Sequence, residues 1–372
     1  MALKQKIFKN VYEGKKVLIT GHTGFKGSWM SMWLLKLGAQ VVGLSDRIPT
    51  DPSLFEAAKL STRLDHRIGN IQNLQTLIGL IDEVRPDFVF HLAAQAIVST
   101  SYEFPINTIT TNVVGTANVL EALRLVNHPC AAVIITSDKC YENVEWSWGY
   151  KETDHLGGKD IYSGSKGAAE VIFHSYFHSF YKKPGCQVRL ATGRAGNVIG
   201  GGDWAKDRIV VDSMRNWSES RSVEIRSPSA TRPWQHVLEP LSGYLTLGAA
   251  LAESDKLVGE SFNFGPRSEQ NRTVLELLTD LSQYWSFSKP EDAYRVTADI
   301  PFHEAGLLRL NCDKALFHLN WRANLEYSDC VKFVSEWYYG FYRGAADSFQ
   351  MTLDQIQQYE SKAQNRSLVW TR

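Results

Sequence analysis

Val17-Leu18-Ile19-Thr20-Gly21-His22-Thr23-Gly24-Phe25-Lys26-Gly27-Ser28-Trp29 is the stretch that decides the fold. A short β-branched run ends in three spaced glycines and passes into an apolar segment, Ser28 to Leu37, that reads as a helix. Gly21, Gly24 and Gly27 let the backbone turn tightly and approach a pyrophosphate, while amides at the helix start face its charge. Thr23 and Phe25 belong to the same loop. The spacing is GxxGxxG rather than GxGxxG, and three glycines alone also make an ordinary turn. Their place between a strand and a helix, at the head of a βαβ pattern, gives the nucleotide reading its weight. Asp46 follows the next strand, Gln40 to Leu44, about 20 residues past the last glycine, where a carboxylate holds ribose hydroxyls. That favours NAD over NADP. Arg47 beside it can accept a 2′-phosphate, although a solvated loop charge is its plainer reading.

Outward from this loop, strands and helices alternate. The helical pattern Leu74 to Val84 leads to a strand Phe88 to Leu92, and Asn112 to Val126 reads as one long helix before the strand that ends at Thr136. A helix begins near Tyr162, and Gln187 to Ala191 is a sixth strand. Asn70-Ile71, closing the third strand, falls where adenine contacts belong. Leu92, Ala93, Ala94 and Gln95 end the fourth with the small residues a cofactor needs beside it. This order predicts an α/β fold: a Rossmann-type doubly wound parallel sheet with a smaller α/β substrate-binding lobe. Residues 1–191 form the expected NAD-binding domain, with segments near 230–260 returning to it, and 192–372 form mainly the second lobe. In that half Val223 to Arg226 and Pro233 to Val237 read as short strands, and Leu241 to Ala252, Val274 to Trp285 and Cys330 to Tyr342 as helices. The tail from Thr352 is polar and reads as a surface helix.

Composition narrows the partners. Forty basic residues balance forty acidic ones, so no global field draws the chain to nucleic acid or a membrane, and an anionic ligand must be held locally. Met1 to Lys16 has no apolar core and is not a secretory signal, and no apolar run reaches the ~20 residues of a membrane span. The five cysteines are odd in number, scattered and free of CxxC spacing, which excludes a zinc site and a disulfide framework and fits a cytoplasmic protein. His236 and His303 lack metal-ligand spacing, so no metal is expected.

Thr136-Ser137-Asp138-Lys139-Cys140-Tyr141 closes the fifth strand, and Tyr162-Ser163-Gly164-Ser165-Lys166 follows on a helix. Tyr162 and Lys166, four apart, share a helical face. A free tyrosine has a pKa of about 10, and a nearby ammonium together with a cationic nicotinamide ring favours its phenolate. Ser137 is placed to orient a substrate hydroxyl. Asp138 and Lys139 are an additional acid and base that simple dehydrogenation does not need.

With these motifs, and with Arg194-Ala195-Gly196-Asn197-Val198-Ile199-Gly200-Gly201-Gly202-Asp203-Trp204 and Arg232-Pro233-Trp234-Gln235-His236-Val237, the chain resembles the extended short-chain dehydrogenase/reductase superfamily, nucleotide-sugar branch, from Lys15 to beyond Ala345. Within the branch, GHTGFKGSW, SDKCY and GNVIGGGDW look most like the CDP-D-glucose 4,6-dehydratases. The resemblance implies a hydro-lyase that oxidises carbon 4 with NAD⁺, eliminates water across carbons 5 and 6, and reduces carbon 6. It also implies CDP-D-glucose as substrate, a homodimer or homotetramer, and a supply of deoxyhexoses for surface polysaccharide such as lipopolysaccharide O-antigen. Asp138 matches the acid that assists the departing 6-hydroxyl. Lys139 stands where dTDP-glucose and GDP-mannose dehydratases carry an acidic base. Its readings, in order, are carbon 5 base, enolate stabiliser and structural ion pair with Asp138.

Arg208 and Arg232 are the candidate diphosphate ligands, since arginine grips phosphate oxygens bidentately. Asn197 is placed for the diphosphate or base edge, Trp204 for stacking on a ligand, Gln95, Ser99 and Tyr102 for hexose hydroxyls, and Glu304 for a ribose. A 4-epimerase would share the glycine loop, Tyr162 and Lys166 without needing Asp138-Lys139. A catalytically silent NAD-binding protein would not need Ser137, Tyr162 and Lys166.

Overall fold

A computed structural model describes residues 6–267, 270–297, 307–344 and 347–372. In chain order its framework is β1 (Lys16–Thr20), α1 (Phe25–Lys36), β2 (Gln40–Ser45), β3 (Asp65–Ile68), α2 (Leu74–Val84), β4 (Phe88–His91), α3 (Gly115–Arg124), β5 (Cys130–Ile135), α4 (Ile161–Tyr176), β6 (Val188–Ala195), α5 (Leu238–Glu253) and β7 (Ser261–Phe264). The seven strands pair in the order β7-β6-β5-β4-β1-β2-β3, all in parallel. The chain runs outward one way through β1, β2 and β3 and the other way from β4. The loops after β1 and β4 therefore flank the switch point, where such sheets open a ligand crevice at their carboxyl edge.

The sheet is sealed on both faces by alternation. Val17 and Ile19 point into a core shared with Trp29, Trp33 and the α5 side chains Leu241 and Leu245. Leu18, between them, joins Leu77, Leu120 and Phe173 of α2, α3 and α4. Burying both faces explains the near-continuous apolar run of β5.

Several elements depart from expectation. Asn112 to Val126 is not one regular helix: Pro105–Ile109 leads through a π turn, Thr110–Val114, into α3. There the Thr110 hydroxyl donates back to the Ile106 carbonyl at 2.9 Å, competing with the regular ladder. Asn70 and Ile71 lie beyond β3, which ends at Ile68. The expected strand Pro233 to Val237 shortens to Gln235–His236, Pro233 having no N–H to offer a ladder, and Thr231–Arg232 before it pairs separately with Arg272–Thr273. The sixth strand runs four residues further than expected, to Ala195.

The carboxyl-terminal helices α6 (Tyr327–Tyr342) and α7 (Ser348–Asn365) join the core of Val17 and Ile19. The polar tail is no simple surface helix, because α7 packs on α1. Glu360 accepts from Trp33 Nε1 at 2.8 Å and from Lys36 Nζ at 2.5 Å, and Tyr359 is fully buried. No described helix is long and apolar enough to cross a membrane.

Candidate active site

The glycine loop is fixed by close approach of backbone to backbone. Gly21 has φ +80°, and a Cβ there would sit 2.7 Å from Ala93 N, so the loops after β1 and β4 touch through it. A Cβ on Gly27 would lie 2.1 Å from the Gly21 carbonyl oxygen, which lets α1 start directly over the turn. Gly24 caps α1 without any side-chain hydrogen bond, leaving the first-turn amides available to an anion. Thr23 Oγ1 donates to the Arg47 carbonyl at 2.7 Å, tying the loop to the end of β2, where Asp46 and Arg47 stand exposed. A dinucleotide fits this cradle: bare backbone for its pyrophosphate and the Asp46 carboxylate for its ribose. Asn70 is exposed, whereas Ile71 is buried against Gly115. Leu92, Ala93 and Ala94 line the switch point, each half-buried.

At the carboxyl end of β5, Ser137 to Cys140 turn through a short 3-10 segment. Ser137 Oγ donates to Asp138 Oδ1 at 2.9 Å and accepts from Lys139 N at 3.2 Å. α4 lies directly against this turn because Gly167 offers no side chain: a Cβ there would be 3.2 Å from the Cys140 carbonyl oxygen. Tyr162, Lys166, Ser137 and Asp138 are thereby brought together as buried side chains, with the Ser137 hydroxyl at Tyr162. The Lys166 ammonium lies 5.9 Å from the Tyr162 ring centroid. Burial lowers Lys166 to about 8, while Cys140 and Glu170 oppose the fall.

The protein alone does not depress the phenol. Burial raises Tyr162 to about 12, against the Ser137 hydroxyl and Arg208, which favour phenolate. The third reading of Lys139 is also corrected: Asp138 takes its hydrogen bond from Ser137, and the Lys139 ammonium has no ion-pair partner among the described residues.

The sugar-side candidates divide. Arg208 stands 3.4 Å from the buried Asp203 carboxylate, with its Nε unpartnered by any hydrogen bond. Ser99 Oγ donates to Asp207 at 2.5 Å on the same side. Asn197 and Arg232 are half-buried and Tyr102 is exposed. Asn197 belongs to a stretch whose Gly196 leaves room for Asp138, the carboxylate being 3.3 Å from a built Cβ.

Two assignments change. Trp204 is buried among Trp337, Tyr338 and Phe341 with its indole N–H on the Tyr342 hydroxyl, so it supports the loop from within and offers no stacking face. The Gln95 amide is bound internally, to the Ile97 backbone and Thr108, which leaves its backbone position rather than its side chain beside the cleft. Glu304 and His303 lie outside the described residues.

Sequence reading missed Lys26. It sits inside the quoted loop, yet its side chain reaches the chemical end of the cleft, 6.0 Å from the Tyr244 ring centroid. Burial lowers it to about 8, Arg208 and Lys166 add to the fall, and Asp138 and Asp203 oppose it. It makes no hydrogen bond or ion pair with any described residue. The signal available was a cation at a position flanked by glycine and an aromatic ring, where the helix start already carries positive charge.

Comparison with known proteins gives this arrangement its relatives. The family model described as GDP-mannose 4,6 dehydratase matches residues 18–333. A CDP-glucose 4,6-dehydratase of Salmonella typhimurium is 43% identical over 341 residues, 91% of this chain and 94% of that protein. Among solved structures, a dTDP-glucose 4,6-dehydratase from Streptomyces venezuelae with NAD bound superposes with TM-score 0.74 at 21% identity, covering 90% of this chain and 99% of its own. A UDP-glucuronic acid 4-epimerase from Bacillus cereus, also with NAD, gives TM-score 0.74 at 23% identity over 88% and 99%. Dehydratases and epimerases thus share the fold.

Proposed function

Because the chain belongs to the GDP-mannose 4,6-dehydratase family, we propose that it is an NAD-dependent CDP-D-glucose 4,6-dehydratase, converting CDP-D-glucose to the CDP-4-keto-6-deoxy sugar with loss of water. The observation that carries the reading is the Ser137-Asp138-Lys139 turn packed against Tyr162 and Lys166, an elimination pair within reach of a redox pair. The Salmonella relative supports CDP-glucose as the substrate.

Held at the glycine loop, NAD supplies the acceptor, and later the donor, of one hydride. Tyr162 takes the proton of the sugar 4-hydroxyl, with Ser137 orienting that hydroxyl and Lys166 favouring phenolate. A carbon 4 ketone acidifies the carbon 5 proton. Lys139, whose ammonium has no ion-pair partner among the described residues, removes it while Asp138 delivers a proton to the departing 6-hydroxyl, so that one water leaves. Arg208 and Arg232 hold the diphosphate.

A homodimer or homotetramer belongs to the same proposal. Ile106, Ile109 and Val114 are exposed on the segment packed against α4, and α4 itself exposes Ile161 and Val171. A cytoplasmic location fits the five free thiols. An epimerase reading leaves Asp138 and Lys139 without a task. Incubation with CDP-, dTDP-, GDP- and UDP-hexoses tests the proposal: loss of water from CDP-glucose is expected, and a mass-neutral product from every sugar nucleotide contradicts it.

A further inference from the structure

Behind the pocket lies a charge pair that the chemistry above does not use. Glu170 and Arg194 are essentially fully buried, joined by Arg194 Nε to Oε1 at 3.0 Å and Nη2 to Oε2 at 2.8 Å. Glu170 also accepts from Thr136 at 2.5 Å, Thr192 at 3.0 Å and Ser261 at 3.2 Å. Burial alone would raise this carboxyl. Arg194 and the hydrogen bonds overrule it and hold Glu170 at about 2, so it stays ionised throughout the working range.

What the pair touches is specific. Glu170 lies on α4 one turn beyond Lys166 and two beyond Tyr162. Thr136 immediately precedes Ser137. On the far side of the turn, Arg194 Nη1 donates to the Tyr141 hydroxyl at 2.7 Å, with its guanidinium 5.0 Å from that ring's centroid. Tyr141 in turn donates to Asn263 Oδ1 of β7 at 2.8 Å. Both ends of the segment that carries Ser137, Asp138 and Lys139 are therefore anchored to one ion pair, and that pair stands on the helix that carries Tyr162 and Lys166.

We propose that Glu170 and Arg194 act as a positioning clamp that registers the elimination turn against the redox helix, with Tyr141 as the anchor on which water elimination depends most. This rests on the dehydratase reading. The redox groups Tyr162 and Lys166 ride on a helix fixed by its own ladder. Asp138 and Lys139 sit in a single short turn tied to the rest of the described chain through its flanks, through the Ser137 hydroxyl at Tyr162, and through the Cys140 carbonyl, which accepts from Gly157 N at 2.8 Å. Releasing one flank should disturb elimination before it disturbs hydride transfer.

Tyr141→Phe removes one hydroxyl and keeps the ring. Tyr150→Phe, in the stacked neighbouring ring, removes a hydroxyl bonded to Asn143 and Val144 rather than to the ion pair, and serves as the structural control. Wild-type protein is first shown to release water from CDP-glucose; failure there overturns the reading and not the clamp. Single-turnover absorbance of the reduced cofactor then reports carbon 4 oxidation, product mass reports water loss, and substrate affinity and thermal unfolding are measured beside them.

Tyr141→Phe is expected to slow water loss about tenfold, with oxidation and affinity within about twofold of wild type, so that reduced cofactor accumulates. Tyr150→Phe should show no accumulation at a comparable shift in Tm. Should Tyr141→Phe fail to fold, Thr136→Val releases the other flank and carries the same expectation. Equal slowing of oxidation and water loss, or no slowing of either, overturns the clamp.

Discussion

The two sides of the cleft are made of different materials. On the cofactor side the surface is backbone: Gly21 and Gly27 allow contacts that any side chain would block, and the free amides of α1 face the ligand position. On the proposed sugar-nucleotide side it is side chains from distant segments, with Ser99, Arg208 and Arg232 as the proposed grips, carried on short elements outside the main sheet. Backbone cradles tolerate almost no substitution, because they are part of the fold. Side-chain grips can be removed one at a time, with loss of affinity and little loss of structure.

This contrast orders the expected effects of mutation. Gly27→Val forces a Cβ into the Gly21 carbonyl and should lose roughly 4 kcal/mol or more, read as insoluble protein or a collapsed Tm; a well-folded variant that still takes up NAD would erase the contrast. Lys139→Met, at the junction of the two sides, should slow product formation roughly 10²- to 10⁴-fold and abolish deuterium exchange at carbon 5 while leaving the first oxidation in place. Exchange at the wild-type rate would assign proton removal to another group. Arg208→Ala, a pure side-chain grip, should raise KM about 10- to 100-fold through loss of hydrogen bonds to a charged group, with Tm nearly unchanged.

Lys26 crosses the divide, a side chain borne on the backbone cradle, and has the smallest expected effect. Burial lowers it from the usual lysine range to about 8. Below that pH it is charged in both folded and unfolded chains and its desolvation burden is fully present. Between about 8 and its unfolded value the unfolded chain binds the extra proton, so stability from this group rises with pH. Lys26→Met should therefore gain about 2–4 °C in Tm at pH 7, a gain that shrinks as pH climbs through that window. A pH-independent difference from wild type would remove Lys26 from the enclosed site.

Legibility in the sequence follows the same divide. The glycine loop, the alternating strands and the Tyr162-Lys166 spacing are local patterns, and local patterns survive into the fold. Trp204 misled because composition cannot say which way an aromatic ring turns; it turned inward to Trp337 and Phe341. The tail looked polar because its buried residues include Thr352, Gln355 and Glu360, and Glu360 is satisfied by Trp33 and Lys36 of α1, hundreds of residues away. Glu170 and Arg194 were in plain view, one four residues past Lys166 and the other opening the Arg194–Trp204 motif. Their pairing depends on α4 packing beside β6, which no spacing reveals.

The most direct test of the central claim is incubation of the purified protein with CDP-D-glucose in deuterium oxide, followed by mass and NMR analysis of the sugar. The account predicts a product lighter by one water, with a carbon 4 ketone, a carbon 6 methyl group and solvent deuterium at carbon 5. A product of unchanged mass with carbon 4 inverted and carbon 5 unlabelled would contradict it, and Asp138-Lys139 would then be no elimination pair.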